Sequence, residues 1–374
     1  MRFCVFSSDP LYKYHQKGEI KPRYWNPEEI FDEVCVFSFC DQDIEPAKVQ
    51  ALVGRARLRI VPLGYPSPWR LWGQRRRAVE VLRDWQPDLV RVHNPWHAGF
   101  VGVGAARQLG IPVLLSLHTH YVARRRWERR WLLEALRLFE HYSIRRADCV
   151  LCVSEYLTAY AHQLGARQVE VIYNRVYAEQ FAVKRRPMPV RPVILSVGRL
   201  DPPKDQACLI RAIGDLDVEL LLVGDGVNRR DLEQLASRLG LADRVHFAGA
   251  VPHEGIQAYY ARADIFAMAT HYEGFCIPVL EAMAAGLPVV VGQTAPLPEI
   301  LGDTGLTVPH DPECFNRAFA QLIADPGTAL ELGRLARSRA EKLDGKEMER
   351  REAALYQKLI SRRSAVLLGT LFAR

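Results

Sequence analysis

Two short stretches of this 374-residue chain hold residue types suited to binding a phosphorylated ligand. In the first, Ser196-Val197-Gly198-Arg199-Leu200-Asp201-Pro202-Pro203-Lys204-Asp205, an apolar run ends at Gly198, and Arg199 and Lys204 flank the loop that follows. Two cations converging on one strand end would neutralise a diphosphate, arginine through its planar fork and lysine as a point charge. In the second, Thr270 to Val291, a polar loop with Glu273 leads into a helix that Pro278 opens and Gly286 closes, and Glu281 lies one turn inside it. Such a loop presents backbone N–H groups and the positive end of the helix dipole to an anion. Carboxylates fit beside an anion if vicinal hydroxyls of a ribose or sugar are bound there too. Glu273 and Glu281 would then clamp hydroxyls on either side. Each stretch alone also has an ordinary reading: acids are favoured at helix starts, and arginine and lysine are common in solvated loops.

These loops need elements to hold them. Short apolar runs alternate with amphipathic segments along the chain, the pattern of βαβ units and parallel sheets. The first half predicts strands at 2–6, 33–39, 57–61, 88–92, 112–117, 147–153 and 168–172, and helices at 69–85, 97–109, 124–146 and 154–164. Residues 181–192 are proline-rich and basic without periodicity, which reads as a linker. A second alternation follows, with strands at 193–197, 218–223, 244–248, 264–269 and 288–292. The expected fold is α/β, with two Rossmann-like doubly wound domains facing a cleft: an acceptor-side domain over 1–180 and a donor-binding domain over 193–350. The helical tail, 351–374, is expected to pack back on the first domain. Ligands of such folds bind outside the carboxyl ends of the strands.

The eight cysteines sit mostly in apolar, strand-like runs, where a free thiol behaves as a small hydrophobe. Cys149 and Cys152 form a C-x-x-C, but within a strand their side chains point to opposite faces, which argues against a redox or zinc motif. Met1 to Phe6 has strand length and does not read as a signal peptide. The longest late apolar stretch, Ala365 to Phe372, is far short of the roughly 20 residues that a membrane span needs. A soluble chain in a reducing cytoplasm is expected.

Taken together, V-G-R-L-x-x-x-K-D (197–205), E-G-F-x-x-x-x-x-E (273–281) and A-x-A-x-G-x-P-V-V (282–290), with L-V-G-D-G (222–226) and V-H-F-A-G-A-V (245–251) between them, resemble glycosyltransferase family four. These are retaining nucleotide-sugar transferases of GT-B fold, and the resemblance covers essentially the whole second half. It implies that Arg199 and Lys204, beside Gly198, bind the donor diphosphate and stabilise it as it leaves. Glu273 would contact hydroxyls of the transferred sugar, with the backbone of Gly274, Phe275 and Cys276 alongside. Glu281 would bind the ribose hydroxyls, and Val251 would lie near the base. In the first half the resemblance assigns His118, in L-S-L-H-T-H-Y, to the donor sugar, whereas His97 and His120 receive no role. Ser154-Glu155 and Asn174 also fit the pattern. One departure concerns the Gly-Gly loop that usually follows the first strand. Here the strand runs into Ser7-Ser8-Asp9-Pro10-Leu11-Tyr12-Lys13, and Gly18 is the candidate for the missing position. No cofactor and no metal is implied, because Arg199 and Lys204 do the work of a divalent ion.

The net charge of +7 suggests a polyanionic partner, but its distribution is uneven. Residues 1–192 carry 30 basic and 19 acidic side chains, 193–350 carry 15 and 23, and 351–374 carry 5 and 1. That asymmetry argues against a uniform nucleic-acid coat. The segment Arg124 to Arg146 holds eight arginines and three glutamates, with Trp127, Trp131, Leu138 and Tyr142 near helical spacing. It reads either as a domain helix with solvated arginines or as a basic helix lying on an anionic membrane surface, to which Arg75-Arg76-Arg77 would add. The expected partners are therefore a nucleoside diphosphate sugar, a hydroxyl acceptor (a glycan or lipid-linked) and an anionic membrane surface through Arg124–Arg146, with no nucleic acid. The leading expectation is retaining transfer of a hexose-type sugar by a protein that is cytoplasmic and peripheral at the inner membrane face. The alternatives are a non-catalytic sugar-nucleotide-binding or membrane-associated partner protein, or a GT-B epimerase.

Overall fold

The computed structural model describes residues 1–7, 9–127, 134–183 and 188–372, with side chains for all of these except 126–127 and 364–372. The chain divides into two compact units, Met1–Tyr173 together with Glu347–Arg374, and Asn174–Lys346. The divisions fall several residues before those suggested by composition. The proline-rich stretch that reads as a linker belongs to the second unit, and its residues 184–187 lie outside the described residues.

The first unit contains β1 (Arg2–Phe6), α1 (Leu11–Gln16), β2 (Glu33–Ser38), β3 (Arg57–Pro62), α2 (Leu71–Trp85), β4 (Leu89–Val92), α3 (His97–Gln108), β5 (Val113–Leu117), α4 (Tyr121–Trp127), α5 (Leu136–Arg146), β6 (Cys149–Cys152), α6 (Tyr156–Gln163) and β7 (Val169–Val171). Its sheet has the order β3-β2-β1-β4-β5-β6-β7 with every pairing parallel. Helices cover both faces of such a sheet, so its central strands are continuous apolar runs: Phe3 to Phe6, Val113 to Leu117 and Cys149 to Cys152 are buried throughout. The cysteines are free.

The second unit contains β8 (Val193–Val197), α7 (Gln206–Ala212), β9 (Glu219–Val223), α8 (Arg229–Arg238), β10 (Val245–Gly249), α9 (Ile256–Arg262), β11 (Ile265–Met268), α10 (Ile277–Ala284), β12 (Val289–Gly292), α11 (Leu297–Leu301), β13 (Leu306–Val308), α12 (Pro312–Ala324) and α13 (Pro326–Lys342). Its all-parallel sheet has the order β10-β9-β8-β11-β12-β13. Aspartates start three of its helices. Asp205, Asp311 and Asp325 accept backbone N–H bonds at the first turns of α7, α12 and α13, satisfying donors that a helix start leaves unpaired.

The last helix, α14 (Gly345–Phe372), belongs to the first unit from Glu347 onward. Its Met348, Leu355, Tyr356 and Leu359 join Phe3, Val5 and Phe31 in one core. Among the described residues no helix is long and apolar enough to cross a membrane.

Two parts of the first unit differ from the sequence reading. The segment after β1 forms helix α1, whose first N–H groups, of Leu11 and Tyr12, donate to the Asp43 carboxylate at 3.0 and 2.9 Å. Gly18 lies past the far end of that helix with φ 64°, a conformation in which glycine commonly ends helices. It is not in the turn leaving β1, so it does not occupy the glycine position assigned to it.

The Arg124–Arg146 stretch is not one helix. Arg125 and Glu140 would stand about 22 Å apart on a straight helix, yet they form a buried ion pair, α4 to α5. Glu140 also accepts from Trp96 Nε1 at 2.8 Å and Tyr160 Oη at 2.7 Å. Arg125 is therefore an interior residue and does not face a membrane. Residues 128–133, with Arg129, Arg130 and Trp131, lie outside the described residues.

Candidate active site

In an open parallel sheet the loops leaving two neighbouring strands diverge where the strand order reverses, and the crevice that opens there is the usual ligand site. In the second unit this point lies between β8 and β11. The loop after β8 carries Gly198, Arg199 and Lys204, and the loop after β11 carries Glu273 to Cys276. The backbone stitches the two together: the His271 N–H and the Thr270 hydroxyl both donate to the Pro203 carbonyl, at 2.8 and 2.9 Å. Lys204 Nζ consequently reaches Glu273 and forms a half-buried ion pair with it. Burial works against the lysine charge, but Glu273 outweighs it, and the Lys204 pKa rises above the ordinary lysine value. The ammonium thus stays charged at neutral pH. Arg199 sits at the same strand end but faces solvent, 78% exposed, with Nη2 2.6 Å from Asp201 Oδ2.

Close backbone approach sets this loop. A Cβ on Gly224, whose φ is 136°, would lie 2.0 Å from the Gly198 carbonyl oxygen, and one on Gly226 would lie 2.6 Å from the Leu200 carbonyl. The two glycines of L-V-G-D-G are therefore what lets the end of β9 lie against the loop after β8.

On the other side, Gly274, Phe275 and Cys276 are buried and lead into α10, with Cys276 at its start in the left-handed region (φ 84°, ψ 74°). Burial pushes the Cys276 thiol pKa up, so this sulfur is a neutral packing group. Glu281, one turn into α10, is nearly buried. Its Oε2 accepts from Tyr260 Oη at 2.7 Å, and its Oε1 lies 3.9 Å from His253 Nδ1. Val251 stands half-buried between β10 and the turn holding His253.

Sequence reading missed a cluster directly behind Lys204. Asp205, the α7 cap, accepts a hydrogen bond of 2.8 Å from His310 Nε2 and lies 3.5 Å from His271 Nε2, and the two imidazoles stack at 4.3 Å. Burial raises the Asp205 pKa, but the His310 hydrogen bond and the two imidazoles outweigh it, and the carboxyl stays below its ordinary value. His271 and His310 come from loops after β11 and β13, and nothing in their local sequence marks them as partners. Tyr260 was missed likewise. Two Asp-x-Asp pairs have structural uses: Asp43 caps α1, while Asp215 accepts from Asn316 Nδ2 at 2.6 Å and Asp217 pairs with Arg191 at 3.2 Å.

In the first unit His118 follows β5 and its ring stacks on His93 at 5.5 Å, nearly parallel. Beneath them Arg91 of β4 donates to Ser116 Oγ at 2.9 Å and pairs with the buried Glu352 of α14, which Tyr356 Oη also contacts at 2.6 Å. Burial, with the Arg91 charge adding to it, pushes the His118 pKa down to about 4, so the ring is neutral at neutral pH. Its Nε2 is buried with no hydrogen-bond partner among the described residues. His97 is packed edge-on against Phe39 at 4.6 Å, and burial holds its pKa near 4 as well. His120 stacks on Tyr160 at 4.2 Å. Ser154 is buried just after β6 and Glu155 beside it is exposed.

Two family models match end to end along the chain. Glycosyltransferase Family 4 covers residues 32–180, and Glycosyl transferases group 1 covers residues 179–339. The chain belongs to glycosyltransferase family four. A GDP-mannose-dependent alpha-(1-6)-phosphatidylinositol monomannoside mannosyltransferase of Mycolicibacterium smegmatis is 38% identical to this family-four chain over 190 residues. That match spans 47% of the chain and 49%, about half, of the relative's own length. Sucrose-phosphate synthase from Thermosynechococcus elongatus superposes with a TM-score of 0.78 at 24% identity, over 97% of this chain and 100% of the other. Anabaena HepE in complex with UDP-glucose gives 0.76 at 20% identity, over 96% and 100%. These structural likenesses establish the fold, a GT-B pair of Rossmann-like domains.

Proposed function

We propose that the protein is a retaining glycosyltransferase that moves a hexose-type sugar from a nucleoside diphosphate sugar to a hydroxyl acceptor carried by a glycan or a lipid. The convergence of Lys204 and Glu273 from two separate loops at the β8–β11 switch point carries this reading. It offers a fixed cation for a diphosphate beside a carboxylate for sugar hydroxyls. Nucleotide sugars are named for two similar proteins: the mycobacterial relative is GDP-mannose-dependent, and HepE was solved with UDP-glucose.

The residues divide the work. Glycosyl transfer breaks the bond between the anomeric carbon and the diphosphate oxygen, so negative charge develops on the leaving group. Lys204, with Arg199 swinging in from solvent, stabilises that charge where it appears. The Lys204–Glu273 ion pair holds both side chains at the strand end. Glu281, oriented by Tyr260, accepts from the ribose diol, and Glu273 accepts from the sugar. Gly198, Gly274, Phe275, Cys276 and Val251 form the backbone lining for phosphate, sugar and base. His118 keeps the role that the resemblance implies, with its neutral ring as a hydrogen-bond partner for a sugar hydroxyl. The two cations make a metal ion unnecessary. The eight free thiols fit a reducing cytoplasm.

Thermal-shift screening against nucleoside diphosphates and their sugars tests the binding half. One base should raise the melting temperature well above the others, because ligand binding to the folded state alone stabilises it. Transfer from a labelled form of that donor to a panel of hydroxyl acceptors tests the reaction, with the product's anomeric configuration read by NMR. Stabilisation without turnover on any acceptor would leave a sugar-nucleotide-binding protein and refute the transferase.

A further inference from the structure

The histidine pair behind Lys204 has no part in the chemistry above. Asp205, the residue that follows the lysine, has φ 38° and ψ 50°, a left-handed conformation that few residues with side chains adopt. Here the chain passes from the Pro202–Lys204 turn into α7, and Asp205 Oδ1 accepts from the Cys208 N–H at 3.3 Å. The other carboxylate oxygen, Oδ2, lies 2.8 Å from His310 Nε2 and 3.5 Å from His271 Nε2. The two imidazoles stack at 4.3 Å, 16° from parallel.

These contacts run across the sheet. In the order β8-β11-β12-β13, His310 follows the strand three places away from the one that leads to Asp205. Between them, Thr294 after β12 donates its hydroxyl to the Thr270 carbonyl at 2.7 Å, and His271 after β11 donates its backbone N–H to the Pro203 carbonyl at 2.8 Å. The loops at this edge are thus tied to one another, and the row ends on Lys204 and Asp205. His310 Nδ1 is buried with no hydrogen-bond partner among the described residues. An ionised carboxylate can only accept, so Nε2 carries the proton and gives it to Asp205. A half-buried ring thereby commits its hydrogen bond to the residue beside the lysine.

We propose that His310 is a positioning residue for the transfer step: it holds Asp205 in its left-handed conformation, with His271 stacked on its ring, and so aims the Lys204 ammonium. The inference rests on the transferase reading of Lys204, through which His310 acts. A lysine side chain is long and freely rotating, and the backbone from which it leaves decides the region that it samples. Glu273 secures the far end of that side chain and His310 the near end. Charge that develops on a leaving diphosphate is stabilised well only by a cation already in place, and a shift of about 1 Å can cost about 100-fold in rate. Without His310, Asp205 still accepts from Cys208 at the start of α7, so the fold keeps a support of its own.

A double-mutant cycle between His310→Ala and Lys204→Met in the full chain tests the proposal. Alone, His310→Ala should lower kcat roughly 10–100-fold and change KM for the donor less than about threefold. In the Lys204→Met chain the same change should have no further effect, because no ammonium is left to aim. His310→Gln, whose amide can donate to Asp205 in place of the ring, should restore most of the rate, and His271→Ala should cost less than His310→Ala. Equal losses in both backgrounds would overturn the proposal by making His310 a purely structural residue, and so would an undiminished rate with His310→Ala. Asp205, Cys208 and His310 also bring ligand atoms within 4.8 Å of one another. Activity lost in a chelator and restored by zinc would therefore overturn the proposal too, by making His310 a metal ligand. If no acceptor supports turnover, the transferase reading falls and the cycle is read by isothermal titration with the nucleoside diphosphate, which carries the full charge of the leaving group. There, weakening by His310→Ala only when Lys204 is present supports the role of His310, and additive weakening overturns it.

Discussion

At the scale of single residues, Lys204 is the side chain on which the proposed chemistry depends most. Its charge is secured by Glu273, so the lysine stays cationic well above neutral pH. Replacing Lys204 with methionine should lower kcat by roughly 10²–10³-fold, the usual effect of removing one preorganised donor from developing charge. Circular dichroism should be unchanged. Glu281→Gln should act differently, raising KM for the donor more than it lowers kcat, because a ribose contact is made equally in ground and transition states. Tyr260→Phe should weaken donor binding by about 1 kcal/mol, since it deprives a buried carboxylate of one hydrogen bond. Isothermal titration with the nucleoside diphosphate reads both.

The buried histidines give a pH signature at the same scale. His97 and His118 have folded pKa values of about 4, below the ordinary 6.5, and burial pushes His93 well below it too. Between those values the unfolded chain binds protons that the folded chain refuses. The stability they contribute is full above pH 6.5 and is lost as pH falls toward 4. Urea midpoints should therefore drop between pH 7 and pH 5, and His97→Phe should flatten the slope.

At the scale of elements, glycines decide how closely the pieces pack. A Cβ on Gly333 of α13 would lie 2.2 Å from the Gly286 carbonyl at the end of α10, and Gly224 bears the same relation to Gly198. Gly333→Ala should cost about 3 kcal/mol through overpacking against rigid backbone. It should do so with little effect on donor affinity once corrected for the folded fraction. Gly224→Ala adds strain at a positive φ and displaces the loop that bears Arg199 and Lys204, so both melting temperature and donor affinity should fall. Comparing the two variants in the same thermal-shift series separates packing from positioning.

At the scale of the whole molecule, the chain's end completes its beginning. The α14 residues Glu352 and Tyr356 enclose Arg91 of β4, and Met348, Leu355 and Leu359 fill the core under β1. Glu352→Ala leaves a buried guanidinium without its counter-charge and should destabilise the first unit by roughly 3–5 kcal/mol. Replacing Arg91 with methionine in the same chain should recover much of that loss, which denaturant melts of the single and double variants would show. By itself the sequence determined the two runs of parallel strands, the loops that end them and the order of the motif residues. Each of these is written locally, in apolar runs bounded by glycine, proline and polar residues. The short α1 escaped because a six-residue helix carries too little periodicity to register. Gly18 was misplaced because a helix, not a turn, follows β1. Only the tertiary structure decided which side chains meet: Lys204 with Glu273, 69 residues away, Tyr260 with Glu281, His310 with Asp205, Arg125 with Glu140. A charge or hydroxyl leaves no periodic trace of its partner, because the pairing depends on how strands and helices approach in space and on which groups burial forces to find one another.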